Sequence, residues 1–124
     1  PVACAAALAV LDVIAEERLQ ENARKQGHHI MARLRDLTAR EDRIGDVRGA
    51  GLFLGIDLCE RGKKEQPDPA LATAVINGLK DRGVLIGAAG RFGHTLKVRP
   101  PLSLSEEEAD IFVDRLAETL SATA

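Results

Sequence analysis

Few residues of this chain could do chemistry. In TLKVRPPLSLSEEEAD, Thr95 to Asp110, Arg99 ends a short alternating run, is followed at once by Pro100 and Pro101, and stands just ahead of a helix-start signal. With Leu96 and Val98 turned to a core, Lys97 and Arg99 share the opposite face, and Pro100 biases Arg99 toward an extended backbone. A guanidinium mounted so firmly suits bidentate contact with a planar carboxylate. A surface arginine paired with a nearby acid is the plainer account, and the residues alone favour it. Spacing does not separate the two.

The other constellations carry less. RGAGLFLG superficially resembles a dinucleotide fingerprint, but from Gly49 the spacing is GxGxxxG, and an alternating segment follows where a helix should receive phosphates. These glycines, like Gly87, Gly90 and Gly93, are expected to shape strands and connections. His28 and His29 are adjacent, so on a helix their side chains diverge by about 100° and cannot grip one ion together. No GxSxG elbow occurs for a hydrolase nucleophile. The acids of SEEEAD are explained by capping and the helix dipole. No catalytic residue, metal ligand or cofactor-binding residue is assigned within the chain, and Arg99 is the one substrate-binding candidate.

The elements that must hold Arg99 can be read from pattern. VACAAALAVLDVI, Val2 to Ile14, favours a helix with alanines on nearly every side, of a kind expected to be buried. Glu16 and Glu17 open a second helical pattern, with Leu19, Ala23, Ile30, Leu34 and Leu37 on one face and Gly27 marking a bend. In GLFLGIDL, Leu52, Leu54, Ile56 and Leu58 alternate as in a half-buried strand. CERGKKEQPDP reads as a solvated loop, after which Asp68 and Pro69 start a helix carrying Leu71, Val75 and Leu79 and stopping at Gly83. VLIG and TLKV are expected to pair as a hairpin across the glycine-rich AAGRFGH. Ser105 and Glu108 form a capping box for a last helix with Phe112, Val113, Leu116 and Leu120 inward. The order helix, helix, strand, helix, strand, strand, helix predicts an α+β layer, a small mostly antiparallel sheet with helices packed on one face.

Composition sets the outer limits. A length of 124 residues suits one domain, and 45% hydrophobic with 29% charged residues describes a chain that folds. Seventeen Lys and Arg against nineteen Asp and Glu, with almost no aromatic residues, argue against nucleic acid as a partner. Cys4 and Cys59 form no motif, which points to a reducing compartment and hence the cytoplasm. The apolar opening is interrupted by Asp12, lacks a basic leader and is shorter than the roughly 20 residues that span a bilayer, so it is expected to be neither signal peptide nor membrane anchor. Its start on Pro1, directly before a helix, suggests a piece of something longer.

Taken in order, PVACAAALAVLDVI, IGDVRGAGLFLGIDL and GVLIGAAGRFGHTLKVRPPLSLSEEEAD resemble the C-terminal part of class-III aminotransferases, pyridoxal-phosphate enzymes that include ornithine and 4-aminobutyrate aminotransferases. The resemblance spans essentially the whole chain. It implies that Pro1 ends a GNP turn, that residues 1–15 form the long helix joining a large cofactor-binding domain to the small one, and that residues 16–124 are the small C-terminal α+β domain of a fold-type I enzyme. The family's RG.GL segment matches Arg48 to Leu52, and its K.RPPL segment matches Lys97 to Leu102. By that match Arg99 corresponds to the arginine that grips the substrate carboxylate.

The resemblance further implies pyridoxal 5'-phosphate as cofactor, bound mainly by the large domain, with an amino donor and a 2-oxo acid as substrates and a homodimer as the full-length enzyme. None of the five lysines, Lys25, Lys63, Lys64, Lys80 and Lys97, sits in a context matching the family's Schiff-base lysine, so the chain alone is expected not to transaminate. The GVLIG and LK.RPPL portions look closer to the alanine–glyoxylate branch, whose relatives include phospho-lyases acting on ethanolamine phosphate. There Arg99 would meet a phosphate or become structural, and the reaction would be an elimination. A stand-alone α+β module that binds a partner or a small anion is the rival from another class. It should lack a large exposed apolar face, whereas a domain separated from its neighbour should expose the first helix.

Overall fold

The computed structural model describes residues 1–123. Its elements run α1 (Val2–Glu16), α2 (Leu19–Thr38), β1 (Ile44–Ala50), β2 (Phe53–Glu60), β3 (Lys63–Pro67), α3 (Pro69–Asp81), β4 (Gly87–Ala89), β5 (Thr95–Val98) and α4 (Glu106–Ala122). All strand pairings are antiparallel: β1, β2, β5 and β4 lie in that order, with β3 also paired to β2. The sheet puts Leu54, Ile56 and Leu58 of β2 and Leu96 and Val98 of β5 against Ile30 and Leu34 of α2, Val75 and Leu79 of α3, and Val113 and Leu116 of α4, all buried. This is the expected α+β layer, with helices on one face.

Local chemistry explains the helix ends. Asp68 accepts a hydrogen bond from the Leu71 amide at 2.8 Å and Pro69 fills the first turn of α3. At α4 both halves of the capping box form, Ser105 Oγ accepting from the Glu108 amide and the Glu108 carboxylate accepting from the Ser105 amide. The far end of α4 is held by the buried Arg43, whose guanidinium donates to the carbonyls of Leu120 (2.6 Å) and Thr123 (2.5 Å) and pairs with Glu41. The Arg43 hydrogen bonds hold the Glu41 carboxyl below its usual range. Arg33 of α2 reaches Asp110 and Asp114 of α4, both at 2.7 Å, and His29 meets Asp110 at 2.6 Å.

Several expectations need correction. The second helix starts at Leu19, because Arg18 adopts the left-handed region (φ 52°) and breaks the chain between α1 and α2. α2 runs unbroken through Gly27, where a Cβ would lie 2.2 Å from the Gly51 carbonyl oxygen, so the glycine lets α2 touch the β1–β2 turn. Two strands went unread, β1 and the polar β3, which occupies part of the expected solvated loop. The strand expected at VLIG begins only at Gly87, although it does pair with β5. Phe112, by contrast, packs against the core as expected, half-buried.

The largest correction concerns α1. No residue of it is buried; Val2, Leu8, Val10 and Leu11 remain 58–85% exposed. Among the described residues α1 touches α2 and otherwise leaves its apolar side chains uncovered. Among the described residues no helix is long and apolar enough to cross a membrane.

Candidate functional site

The face of the sheet turned away from the core helices carries the polar strand residues. Three rows cross it. Asp46, Asp57 and Thr95 face one another across β1, β2 and β5, and Arg48, Gly55, Lys97 and Gly87 form the next row. In the third, Arg99, one residue past Val98, comes over Phe53, one residue before Leu54, with the guanidinium carbon 5.9 Å from the ring centroid. Phe53 is 63% exposed, a large aromatic surface on which this cation rests.

Arg48 of the second row serves both carboxylates of the first. Arg48 donates to Asp57 at 2.6 and 3.1 Å and to Asp46 at 2.8 Å, and Thr95 Oγ1 donates to Asp57 at 2.5 Å. Burial pushes the Asp57 carboxyl up, but the hydrogen bonds from Arg48 and Thr95 outweigh it and hold the group below the usual carboxylate range. Asp57 and Asp46 together raise the Arg48 guanidinium further above its already high value. His94 Nε2 lies 3.8 Å from the same Asp57 carboxylate.

Arg99 differs. It is exposed, and among the described residues it makes no ion pair, so the paired surface arginine favoured by the residues alone is not what the fold builds. Lys97 projects to the same side from two residues earlier and is half-buried. A groove of about 650 Å³ touches both cations and reaches round to the core side of the sheet, with Lys97, Arg99, Pro100 and Glu108 lining it together with Ile30, Val98 and Phe112. The mount of Arg99 is fixed on both sides. Upstream, β5 is paired to β2 through Val98 and Leu54; downstream, the Asn22 side chain of α2 donates to the carbonyls of Leu102 (2.8 Å) and Leu104 (2.9 Å).

Two cations and an aromatic ring suit an anionic small molecule. Lys25, Lys63 and Lys80 are exposed and ion-paired with Glu106, Glu60 and Asp81, Lys64 is exposed, and Lys97 lies on the open sheet face. Among the described residues no group of His, Cys, Asp and Glu could hold a metal ion. His28 is exposed and His29 is engaged with Asp110, the helix-face roles expected of them.

Sequence reasoning singles out Arg99, with Lys97 on the same face but given no role, and does not single out Phe53, Asp57 or Asn22. The first two had a signal, since Phe53 and Asp57 occupy the outward positions of the alternation that buries Leu54, Ile56 and Leu58. Asn22 had none, because its partners lie 80 and 82 residues away.

Comparison with known proteins is consistent throughout. A mitochondrial Arabidopsis thaliana protein named alanine–glyoxylate aminotransferase 2 homolog 2 is 39% identical over 97% of this chain and 25% of its own length. A phospholyase from Arthrobacter, solved with phosphoethanolamine, superposes with a TM-score of 0.96 at 40% identity, covering 100% of this chain and 29% of that one. An amine transaminase from an uncultivated Pseudomonas species, solved in its pyridoxal-phosphate-bound form, gives 0.89 at 35% identity, covering 100% and 28%. The chain thus spans about a quarter of the length of these relatives. Residues 1–120 match the family model described as aminotransferase class-III, and the chain belongs to that family.

Proposed function

We propose that this chain is the small C-terminal domain of a pyridoxal-phosphate-dependent class-III aminotransferase, which moves an amino group between an amine or amino acid and a 2-oxo acid. The observation that carries this reading is Arg99, an exposed guanidinium without an ion-pair partner among the described residues, rigidly mounted in a chain of this family. Arg99 receives the substrate carboxylate bidentately, while Phe53 beneath it restricts where the guanidinium can swing. Lys97 adds a second positive charge to the same wall. Bound pyridoxal phosphate supplies the electron sink for the chemistry. Its lysine and most of its phosphate contacts belong to the rest of the protein, so the chain by itself is inactive.

Residues 1–15 act as the joining helix, and the uncovered apolar side chains of α1 are the surface on which the larger part of the same polypeptide packs. The full-length enzyme is a homodimer. With Cys4 and Cys59 both free, a cytoplasmic setting suits it.

A second reading has its own support. The Arthrobacter relative was solved with phosphoethanolamine, and two cations on one face, Lys97 and Arg99, match a phosphate dianion better than one carboxylate does. In that case the enzyme eliminates phosphate from an amino-alcohol phosphate.

The test uses the full-length protein. Its visible absorption is recorded with and without borohydride, the labelled lysine is mapped, and turnover is then compared on L-alanine with glyoxylate and on O-phosphoethanolamine. A reducible band whose lysine lies outside residues 1–124 supports the reading, and the substrate that turns over, and fails with Arg99→Ala, chooses between the two reactions. Well-folded protein without such a band sinks both.

A further inference from the structure

We infer that Asn22 is a positioning residue for Arg99, setting how well the guanidinium meets the anionic group of the substrate; this rests on the reading of Arg99 above. Asn22 sits in the first turns of α2, half-buried, and reaches across to the segment that follows Arg99. Its amide nitrogen carries two N–H donors, and each has an acceptor: Leu102 O at 2.8 Å and Leu104 O at 2.9 Å. Both acceptors are carbonyls, so the amide cannot be turned over without setting oxygen against oxygen. Gln26, one turn on and 3% exposed, donates to the Asn22 amide oxygen at 3.4 Å and favours the same orientation.

The clamp matters because of what lies between it and the guanidinium. From Arg99 to Leu102 the chain passes through Pro100 and Pro101, whose φ angles are fixed by their rings. Leu104 N closes a turn back onto Pro101 O at 3.1 Å. A stiff connector transmits the position of its far end: held at Val98 by the ladder and at Leu102 by Asn22, it leaves Arg99 little freedom except in its own side chain. The capping box fixes Ser105 and the start of α4, but Pro100 to Leu104 lie outside it. Leu102 is exposed and Leu104 half-buried, so water can take over the Leu102 carbonyl if Asn22 is lost. Removing Asn22 is therefore expected to loosen the mount without unfolding the domain. Preorganised contacts are the ones most sensitive to small displacements.

The experiment measures affinities on the full-length holoenzyme by isothermal titration calorimetry, with three probes: L-alanine, O-phosphoethanolamine, and ethylamine, which carries no anionic group. Arg99→Ala should weaken one of the two anionic probes about tenfold or more and ethylamine less than about twofold. Asn22→Ala should weaken the same anionic probe about three- to tenfold, again sparing ethylamine, and Asn22→Ser, too short to span both carbonyls, should do the same. In the Arg99→Ala background Asn22→Ala should add nothing, and this comparison decides even if ethylamine binds too weakly to measure.

The inference is overturned if either Asn22 variant binds like the wild type, weakens ethylamine equally, or still costs affinity once Arg99 is gone; failure of both variants to fold also overturns it, making Asn22 structural. If Arg99→Ala itself leaves both anionic probes unchanged, it is the reading of Arg99 that fails, and the role of Asn22 with it.

Discussion

Leu54, Ile56 and Leu58 point to one side of β2 and are buried; Phe53, Gly55 and Asp57 point to the other, where none of the three core helices lies. The covered face is uniform, apolar and closed by α2, α3 and α4. The outer face is a pattern of charges, and the charges are unequally served. Arg48 has two carboxylates, while Arg99, in a chain of net charge −2, has an aromatic ring and no ion-pair partner among the described residues. β2 thus supplies cohesion on one side and, on the other, the Phe53 ring over which the cation just past β5 lies. If the proposed role of Arg99 holds, stability and recognition rest on different side chains of one sheet, and substitutions should separate them.

The sharpest contrast comes from the covered face. Ile56→Ala should destabilise the 124-residue chain by about 2–5 kcal/mol in urea unfolding followed by circular dichroism, because Ile56 is fully buried and its loss leaves a cavity. Next comes Gly27→Ala, where the added Cβ would meet the Gly51 carbonyl; a loss of about 1–3 kcal/mol in the same measurement is expected. An unchanged midpoint would show that α2 and the β1–β2 turn can part freely.

On the outer face Asp57→Asn should cost only about 1 kcal/mol, because Arg48 is more than half exposed and solvent screens the pair. The acid dependence identifies the contribution. The folded-state pKa of Asp57 is depressed, so its stabilisation is present above the unfolded value of about 3.9 and is lost as pH falls through the lower folded value. Wild-type stability should therefore fall more steeply below about pH 4 than that of Asp57→Asn, with Glu41 and Asp110, also depressed, leaving a remaining slope. The smallest effect belongs to Arg99→Ala, whose unfolding free energy should stay within about 0.5 kcal/mol of the wild type while the full-length protein binds its anionic substrate about tenfold more weakly. A large loss of stability would collapse the distinction between the faces.

What could be read in advance follows the same division. α3 and α4 were legible because Asp68, Pro69, Ser105 and Glu108 announce helix starts locally, and β2 because burial on one side imposes alternation. β1 escaped because Gly45, Asp46, Arg48 and Gly49 sit on an edge strand with little to bury, and β3 because Lys63, Lys64, Glu65 and Gln66 are exposed on every side. In both strands backbone pairing does what side-chain pattern does not show. The helix at Val2–Glu16 was legible but its environment was not: apolar composition tells what a helix is able to cover, not whether the covering partner lies in the same stretch of sequence. Arg99 was visible through Pro100, whereas the clamp from Asn22 is a product of tertiary structure alone.

The bond between Arg99 and Pro100 has a further consequence, for digestion. Trypsin cleaves after lysine and arginine but poorly where proline follows, because the ring replaces the amide N–H and fixes the backbone beyond the scissile bond. Cuts after Lys97 and Arg115 therefore release residues 98–115 as a single peptide with Arg99 inside it. In a peptide map that fragment carries any chemical label on the guanidinium, and the proline that holds the cation in place also keeps it from becoming a frayed chain end.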